Sequence, residues 1–256
     1  MSNNSKIKIG GLQKLTLIDF PGKLAATVFL SGCNFRCPFC YSSELVLPEK
    51  IKNQPRISEK EFFAFLKERK GMLEGVVICG GEPTINKQLP QFCQKIKKLG
   101  FLVKLDTNGS NPKMLKKLID EKLVDYVAMD IKAPLGKNFQ FPISNFQTNS
   151  ESQIPKYEIA TGVKAETDKI KESIKLIKNS DVDYEFRTTV VPGIHQKEDI
   201  LQIARDISPA KKYFLQNFKP GKNINPVFEK VESYSPEFLL NLQKAISPFF
   251  DVCQVR

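Results

Sequence analysis

The sequence predicts an α/β protein, in which strands and helices alternate along one domain. The chain has 256 residues, a length that suits one large domain, and 41% of them are hydrophobic. Short apolar runs typical of buried strands alternate with segments whose apolar residues recur every three or four positions, as on one face of a helix. Six strand–helix units of this kind favour a parallel sheet, either open or curled into a barrel.

The predicted strands are short, apolar and partly β-branched. The first contains Ala-Ala-Thr-Val-Phe-Leu, and the second contains Gly-Val-Val-Ile-Cys. Parallel strands connected by helices end at the same edge of a sheet, and in such folds the functional site lies at that edge. The six strands are predicted at 25–30, 75–79, 101–105, 125–131, 184–191 and 212–218, with a short last strand at 252–255.

The predicted helices combine an apolar face with local start or stop signals. Ser58 followed by Glu61 is the capping-box pattern of a helix start, and Gly100 ends the helix that begins at Leu89. The remaining helices are predicted at 112–122, 168–179, 197–207 and 236–246. Residues 1–24 form an N-terminal extension, and the polar, proline-containing stretch 133–166 is expected to be mostly loop with one short helix.

Composition excludes several classes of protein. No stretch reaches the ~20 apolar residues of a membrane span, and the first six residues lack the apolar segment of a signal peptide. We therefore expect a cytoplasmic protein without a membrane partner. The net charge of +11 comes from 33 lysines but only six arginines. It fits solvated helix faces or an acidic protein partner better than nucleic acid, whose readers rely on arginine.

Three of the six cysteines lie within eight residues, which indicates a metal centre rather than disulfides in a reducing compartment. A structural zinc site needs a fourth ligand. The other candidates have simpler interpretations: Cys93 lies on an apolar helix face, Cys79 lies in a strand, Cys253 is near the end, and the lone His195 follows a turn. A [4Fe–4S] cluster with three cysteine ligands and one open iron remains. The three ligands are Cys33, Cys37 and Cys40.

Unusual residues follow or lie within each of the six predicted strands of the strand–helix units, and all of them are expected on one rim of the sheet. Taken singly, these motifs have plain interpretations as turns, helix caps or strand-end charges. Their convergence on one rim is the stronger evidence. Besides the cysteines they are Gly80, Gly81, Glu82 and Pro83; Asp106, Thr107 and Asn108; Asp130 and Lys132; Arg187 and Pro192; and Gln216.

The spacing Cys-x3-Cys-x2-Cys with Phe39 before the last cysteine, together with Gly-Gly-Glu-Pro after the second strand, resembles the radical S-adenosylmethionine (SAM) superfamily. Closer resemblance is to the glycyl-radical-enzyme activases, especially those of the anaerobic ribonucleoside-triphosphate reductase. One departure is Tyr41, where that group more often has histidine. The stretches that carry the resemblance are 11–22, 32–40, 125–134, 184–190 and 213–218.

The resemblance implies a partial (β/α)6 barrel and a reaction. Cys33, Cys37 and Cys40 would hold the cluster, whose open iron binds the amino and carboxylate groups of SAM. One electron then breaks the S–C5′ bond, and the 5′-deoxyadenosyl radical takes hydrogen from a glycine of a partner glycyl-radical enzyme. A flavodoxin- or ferredoxin-type protein would donate the electron.

The resemblance also implies roles for the other rim residues. Gly80 and Gly81 allow close backbone approach, Glu82 accepts from the methionine ammonium, and Pro83 fixes the turn. The remaining positions are assigned as follows: Phe39 near the adenine; Asp106, Thr107 and Asp130 around a small cation beside the SAM carboxylate, with Asn108 in the same turn; Lys132 and Arg187 supplying charge to SAM or the cation; Gln216 facing the adenosine, with Pro192 shaping its pocket.

Two alternatives to an activase stay open. A radical SAM enzyme that acts on a small molecule or a tRNA base would share every step up to the radical. The scarcity of arginine disfavours RNA, and the lack of a second cysteine cluster disfavours members with auxiliary clusters. A non-catalytic zinc or iron–sulfur module would need another ligand and would leave the Gly-Gly-Glu-Pro turn unexplained.

Overall fold

A computed structural model of the chain describes residues 7–136 and 154–256. These residues divide into two compact units. Unit 1 comprises the chain up to Asn34, Ser42–Met129 and Glu172–Tyr184; unit 2 comprises Phe35–Tyr41, Asp130–Lys171 and Glu185–Arg256. Both contain strands and helices, so the predicted α/β class is confirmed. The prediction that residues 1–256 form one domain stays a prediction.

Unit 1 is built on neighbouring strands that follow chain order. β2 to β5 are parallel, as predicted, whereas β1 runs antiparallel to β2, with register shifts after Ile9 and Gln13. β1 was not among the predicted strands, and the predicted strands of this unit are parallel as expected. The strands are β1 (Ile9–Thr16), β2 (Ala25–Leu30), β3 (Gly75–Gly80), β4 (Leu102–Thr107) and β5 (Tyr126–Asp130), whose last residue belongs to unit 2.

The three longest helices that lie wholly in unit 1 begin where local signals predict them, whereas the two short helices before them were not predicted. Ser58 caps its helix and exchanges hydrogen bonds with Glu61, so the predicted capping box is confirmed. Pro83–Ile85 forms a short 3-10 turn directly after β3. The helices are α1 (Ser43–Val46), α2 (Pro48–Ile51), α3 (Glu59–Glu68), α4 (Leu89–Lys98) and α5 (Pro112–Asp120).

Unit 2 contains three parallel strands in chain order. The residues after β5 lie beside the first of these strands, because Ile131 N–H donates to Arg187 O at 2.8 Å. Two helices, α8 and α9, have the predicted bounds. The elements are α6 (Lys156–Thr161), α7 (Thr167–Lys178, which ends in unit 1), β6 (Asp183–Val190, whose first two residues belong to unit 1), α8 (Lys197–Ile207), β7 (Ala210–Asn217), α9 (Pro236–Ile246) and β8 (Phe250–Val255).

Two segments without predicted strands contain regular structure. The N-terminal extension includes β1, and the stretch 133–166 includes the short helix α6, which was expected there. The centre of that stretch, 137–153, lies outside the described residues. Within the described ranges, no helix is both long and apolar enough to cross a membrane.

Candidate functional site

The turn after β3 requires glycine for reasons internal to unit 1. Gly80 has φ +116°, and a Cβ placed there would lie 2.4 Å from both the N and the O of Leu30. A Cβ on Gly81 would lie 2.0 Å from Gly32 O. Backbone bonds close this approach, because Gly81 N–H donates to Leu30 O and Glu82 N–H to Gly32 O. The close approach expected of the two glycines is therefore made to the end of β2.

Glu82 is 1% exposed, and both of its carboxylate oxygens are occupied by donors of unit 1. Oε1 accepts from Thr84 N at 3.0 Å, from the Thr84 hydroxyl and from Thr107 Oγ1 at 2.7 Å. Oε2 accepts from Asn108 N at 2.6 Å. Burial raises the pKa of Glu82, against the opposing effect of these hydrogen bonds. The carboxylate thus ties the turn after β3 to the turn after β4.

The turn after β4 is also tied to the residue that follows Cys33. Asn108 Nδ2 donates to Asn34 Oδ1 at 3.0 Å, and Asn34 Nδ2 donates to Ser110 Oγ at 2.8 Å. Sequence reasoning missed Asn34, because an isolated asparagine in a loop carries no periodic signal. Unit 1 therefore brings together residues after β2, β3 and β4, the three predicted strand ends that it contains.

Asp106 has a partner that the sequence analysis did not assign to it. The Lys104 ammonium, on a side chain that is 1% exposed, is hydrogen-bonded to Asp106 Oδ1. The two residues are two positions apart on β4 and so project from the same face of the strand. A buried lysine paired with a carboxylate already balances the charge that the small-cation hypothesis assigned to a bound ion.

Asp130 of unit 2 lies between two cationic side chains. Arg187 Nε contacts Oδ1 at 2.9 Å, and Lys132 Nζ contacts Oδ2 at 2.9 Å. Burial alone would raise the pKa of Asp130, but the charges of Arg187 and Lys132 outweigh it and hold that pKa well below its usual range. Lys132, Arg187 and Asp130 were all predicted as site residues, and the first two balance the charge of Asp130.

The His195 side chain is hydrogen-bonded to the backbone at Val191 and at Lys132. Its Nδ1 accepts from Val191 N–H at 3.0 Å, and its Nε2 donates to the Lys132 carbonyl at 2.8 Å. These two contacts define a neutral imidazole with the proton on Nε2. Burial lowers the pKa of His195 to about 4. Pro192, predicted to shape a pocket, lies in the turn between Val191 and His195. His195 is structural, as the sequence analysis expected.

The cysteine motif continues from unit 1 into unit 2. Cys33 belongs to unit 1, whereas Cys37 and Cys40 belong to unit 2, and all three thiols are free of disulfides. Lys132 lies near Cys37 and Cys40. Burial lowers the pKa of Lys132, but Asp130 and the sulfurs of Cys37 and Cys40 raise that pKa by more. A nearby ammonium favours the thiolate form that ligates iron. The donors thus have the chemistry that a [4Fe–4S] cluster requires.

The ligand set itself stays a prediction. In ranges 7–136 and 154–256, no group of three or more His, Cys, Asp or Glu side chains is arranged to hold a metal ion. Phe39 is buried in unit 2, and Gln216 is half-buried on β7, where it pairs with Thr189. Their proposed positions near SAM also remain predictions. Cys93 is fully buried on α4, and burial raises its thiol pKa to about 12, which fits the predicted structural role.

Comparison with known proteins yields a family and several relatives. The profile described as the radical SAM superfamily matches residues 27–207. A Methanocaldococcus jannaschii protein named "Putative glycyl-radical enzyme activating enzyme" is 32% identical over 254 residues, covering 98% of this chain and 96% of that protein. The 7-carboxy-7-deazaguanine synthase of Bacillus subtilis is 28% identical over 177 residues, covering 68% and 66% of the two chains.

Solved structures share the fold. The crystal structure of Streptococcus suis SuiB bound to the precursor peptide SuiA matches with a TM-score of 0.63 at 13% identity, over 89% of this chain and 48% of that one. The same protein bound to S-adenosylmethionine matches with a TM-score of 0.62 at 14% identity, over 88% and 51%. The chain therefore spans about half the length of SuiB.

Proposed function

Because the chain belongs to the radical SAM superfamily, we propose that it activates a partner glycyl-radical enzyme by abstracting hydrogen from a backbone glycine. One observation carries this proposal: the similarity to the M. jannaschii protein extends over 98% of this chain and 96% of that one. A match of that extent includes the N-terminal extension as well as the predicted rim. The activase of the anaerobic ribonucleotide reductase is the form of this proposal that the sequence motifs favour.

In this proposal, Cys33, Cys37 and Cys40 hold a [4Fe–4S] cluster and the rim binds SAM. Bound there, the cluster would pass one electron from an external donor to SAM and so cleave its S–C5′ bond; methionine and 5′-deoxyadenosine would be the products, the latter carrying the hydrogen atom that the glycine loses. Lys132 places a positive charge beside the Cys37 and Cys40 sulfurs, and Asp130 and His195 hold Lys132 in place.

Glu82 takes a different part in the proposal from the one that the resemblance implies. Its oxygens accept from Thr84, Thr107 and Asn108, so its contribution is to fix the two turns that face the ligand. The small cation is left out of the proposal. Asp106 is paired with Lys104 and Asp130 with Lys132 and Arg187, so a bound ion would have to compete with buried protein cations.

A radical SAM enzyme acting on a small molecule is the second candidate. It is favoured by the similarity to 7-carboxy-7-deazaguanine synthases, one of which matches 68% of this chain. The two candidates share the cluster, SAM and the radical, and differ in the substrate from which hydrogen is taken. A tRNA base is a weaker form of the second candidate, because the chain has only six arginines.

The proposal also includes a location and an electron source. We place the protein in the cytoplasm, where a flavodoxin- or ferredoxin-type donor would reduce the cluster. The net charge of +11 suits an acidic donor or an acidic partner enzyme.

Anaerobic reconstitution tests this function in two stages. The protein is loaded with iron and sulfide, reduced, and incubated with SAM; formation of 5′-deoxyadenosine is expected. A candidate glycyl-radical enzyme is then added, and electron paramagnetic resonance should show the doublet of a glycyl radical. Cleavage of SAM without that doublet across candidate partners, combined with turnover of a small molecule, would replace the activase by the second candidate.

Cysteine variants provide the matched control. Cys37→Ala should lose the iron–sulfur absorbance and SAM cleavage together, whereas Cys253→Ala, which removes another thiol of unit 2, should keep both. Retention of the absorbance in Cys37→Ala would remove this residue from the ligand set.

A further inference from the structure

A turn far along the chain binds the backbone of the cysteine motif. Residues 221–225, which we name the clamp turn, donate to three consecutive carbonyls of residues 38–40, all within unit 2. Two of the donors are backbone N–H groups and one is a side-chain amide. The bonds are Asn225 N to Pro38 O at 2.9 Å, Asn223 Nδ2 to Phe39 O at 2.6 Å, and Ile224 N to Cys40 O at 2.9 Å.

Asn223 is the side chain on which this contact depends. The residue is 4% exposed, and its two amide ends have separate partners. Oδ1 accepts from Gly221 N at 3.1 Å, while Nδ2 donates to Phe39 O. The Asn223 N–H also donates to Gly221 O at 2.8 Å. With both ends bonded, the amide orientation is set by the network, and the donor is held towards the cysteine motif.

The side chain of Asn225, two positions later, has a different hydrogen-bond partner. Its Oδ1 accepts from Val227 N at 3.0 Å and caps the 3-10 turn Pro226–Lys230. The same residue type therefore occurs twice in the clamp turn, once with its side chain on the cysteine motif and once with its side chain directed at the following turn.

The motif is also held at its other end. Arg36 N–H donates to Thr161 O, the last residue of α6, at 2.8 Å. Gly162 follows with φ +66°, and a Cβ there would lie 2.2 Å from Arg36 O. Only glycine fits this conformation and this distance together. Residues 36–40 are thus bonded at both ends by segments of unit 2 that are distant in sequence.

We infer that Asn223 is a positioning residue for the iron–sulfur cluster, which holds the backbone of residues 37–40 in shape before the cluster binds. Because the carbonyls of residues 38–40 are held by hydrogen bonds, the backbone positions from which the Cys37 and Cys40 side chains project are held as well. A loop that is already ordered loses less conformational entropy when metal binds, so the cluster is held more tightly. This inference rests on the proposed function, because it assumes a cluster on these cysteines.

Asn223→Asp and Asn225→Asp form a matched pair that tests the inference. In Asn223→Asp, the acceptor for Gly221 N–H stays, but the donor to Phe39 O is replaced by an oxygen that repels it. In Asn225→Asp, the capping acceptor stays, and the backbone bond to Pro38 O is untouched. Each protein is reconstituted anaerobically, and iron per chain and the rate of iron loss to a chelator are measured.

Asn223→Asp should release iron about tenfold faster than the unmodified protein. That factor is the low end of the loss in metal affinity seen when a residue that supports a metal ligand is replaced. Asn225→Asp should match the unmodified protein. Circular dichroism and a thermal melt of the cluster-free proteins report folding separately. If Asn223→Asp does not fold, Asn223→Ala, which removes the donor without repulsion, takes its place with the same expectation.

The outcomes separate this inference from the proposed function. Equal iron loss in the unmodified protein and in a folded Asn223 variant would overturn the inference alone. Failure of the unmodified protein to take up iron and sulfide would overturn the proposed function, and the inference with it.

Discussion

Glu82 of unit 1 and Asp130 of unit 2 are carboxylates whose pKa values burial alone would raise. Their pKa values nevertheless shift in opposite directions. Both follow the apolar part of a parallel strand, and both join two segments of the chain. Among the described residues, only hydroxyl and backbone N–H groups donate to Glu82, so burial dominates and raises its pKa. Asp130 is bonded by Lys132 and Arg187, and their charges lower its pKa. The type of donor, more than the degree of burial, decides the direction.

Removing the charge of Asp130 should have the largest effect. Asp130→Asn removes the carboxylate that both Lys132 and Arg187 contact, and the side chains of these two cations are only 14% and 13% exposed. We expect a loss of about 3 kcal/mol in the free energy of unfolding, near the lower end for a broken buried ion pair because Asp130 keeps some contact with water. Urea unfolding at pH 7 measures it.

The pH dependence of this loss carries a defined sign. Because the folded-state pKa of Asp130 lies below 3.8, its stabilising effect is complete above that value and is lost as the pH falls towards the folded pKa. The difference between the unmodified protein and Asp130→Asn should therefore shrink below pH 3.8. A difference that stays constant with pH would show that the ion pairs do not carry the effect.

His195 provides the next largest effect, on the unit 2 side of the comparison. Its pKa falls from 6.5 in the unfolded chain to about 4 in the folded one. The unfolded chain binds more protons between these values, so stability should fall by roughly 2–3 kcal/mol as the pH is lowered from 6.5 to 4. It is the single histidine of the chain. In His195→Gln this part of the slope should vanish; a slope unchanged between pH 5 and 6.5 would contradict the assignment.

Glu82→Gln should have a smaller effect with the opposite pH dependence. The amide can still accept from Thr84 and Thr107, but its NH2 group would face the Asn108 N–H, so one buried bond is lost at about 1–2 kcal/mol. The raised pKa means that the unmodified protein loses stability as the pH rises above 4.5. The variant should lack that loss. Denaturant midpoints measured from pH 4 to 8 show whether the pH dependence of stability contributed by Glu82 is opposite in sign to that contributed by Asp130.

The smallest effect is expected at an exposed pair. Asp120 contacts Lys116 at 2.6 Å on α5, with both side chains more than half exposed. Asp120→Asn should cost less than ~0.5 kcal/mol and should become indistinguishable from the unmodified protein in high salt. It is the control for Asp130→Asn, since both remove one aspartate charge. Similar losses in the two variants would mean that burial does not distinguish the pairs.

Local signals explain which parts of the fold could be predicted from the sequence. β2, α8 and α9 have the predicted bounds because an apolar run or an apolar helix face with its end signals is encoded within a few residues. β1 has no such pattern: Gly10 and Gly11 weaken strand propensity, and the strand exists through pairing with β2.

The sequence proposes the members of the candidate site, but it does not show which of them pair with one another. Asp130, Lys132 and Arg187 were all expected on one rim, yet the ion pair between Asp130 and Arg187 depends on a contact across 57 positions of sequence. Asn223 and Asn34 had no signal, because an asparagine in a polar turn is ordinary. The pairing of Lys104 with Asp106 could have been found from their two-residue spacing on one strand face.

The glycine pair after β3 also bears on how such sequences are recognised. Gly80 and Gly81 are needed because any Cβ would run into Leu30 and Gly32, before any ligand is considered. A descendant of this chain that lost its cysteines would still need both glycines in order to keep the turn. A search for this turn alone would therefore collect chains that have the three cysteines together with chains that lack them.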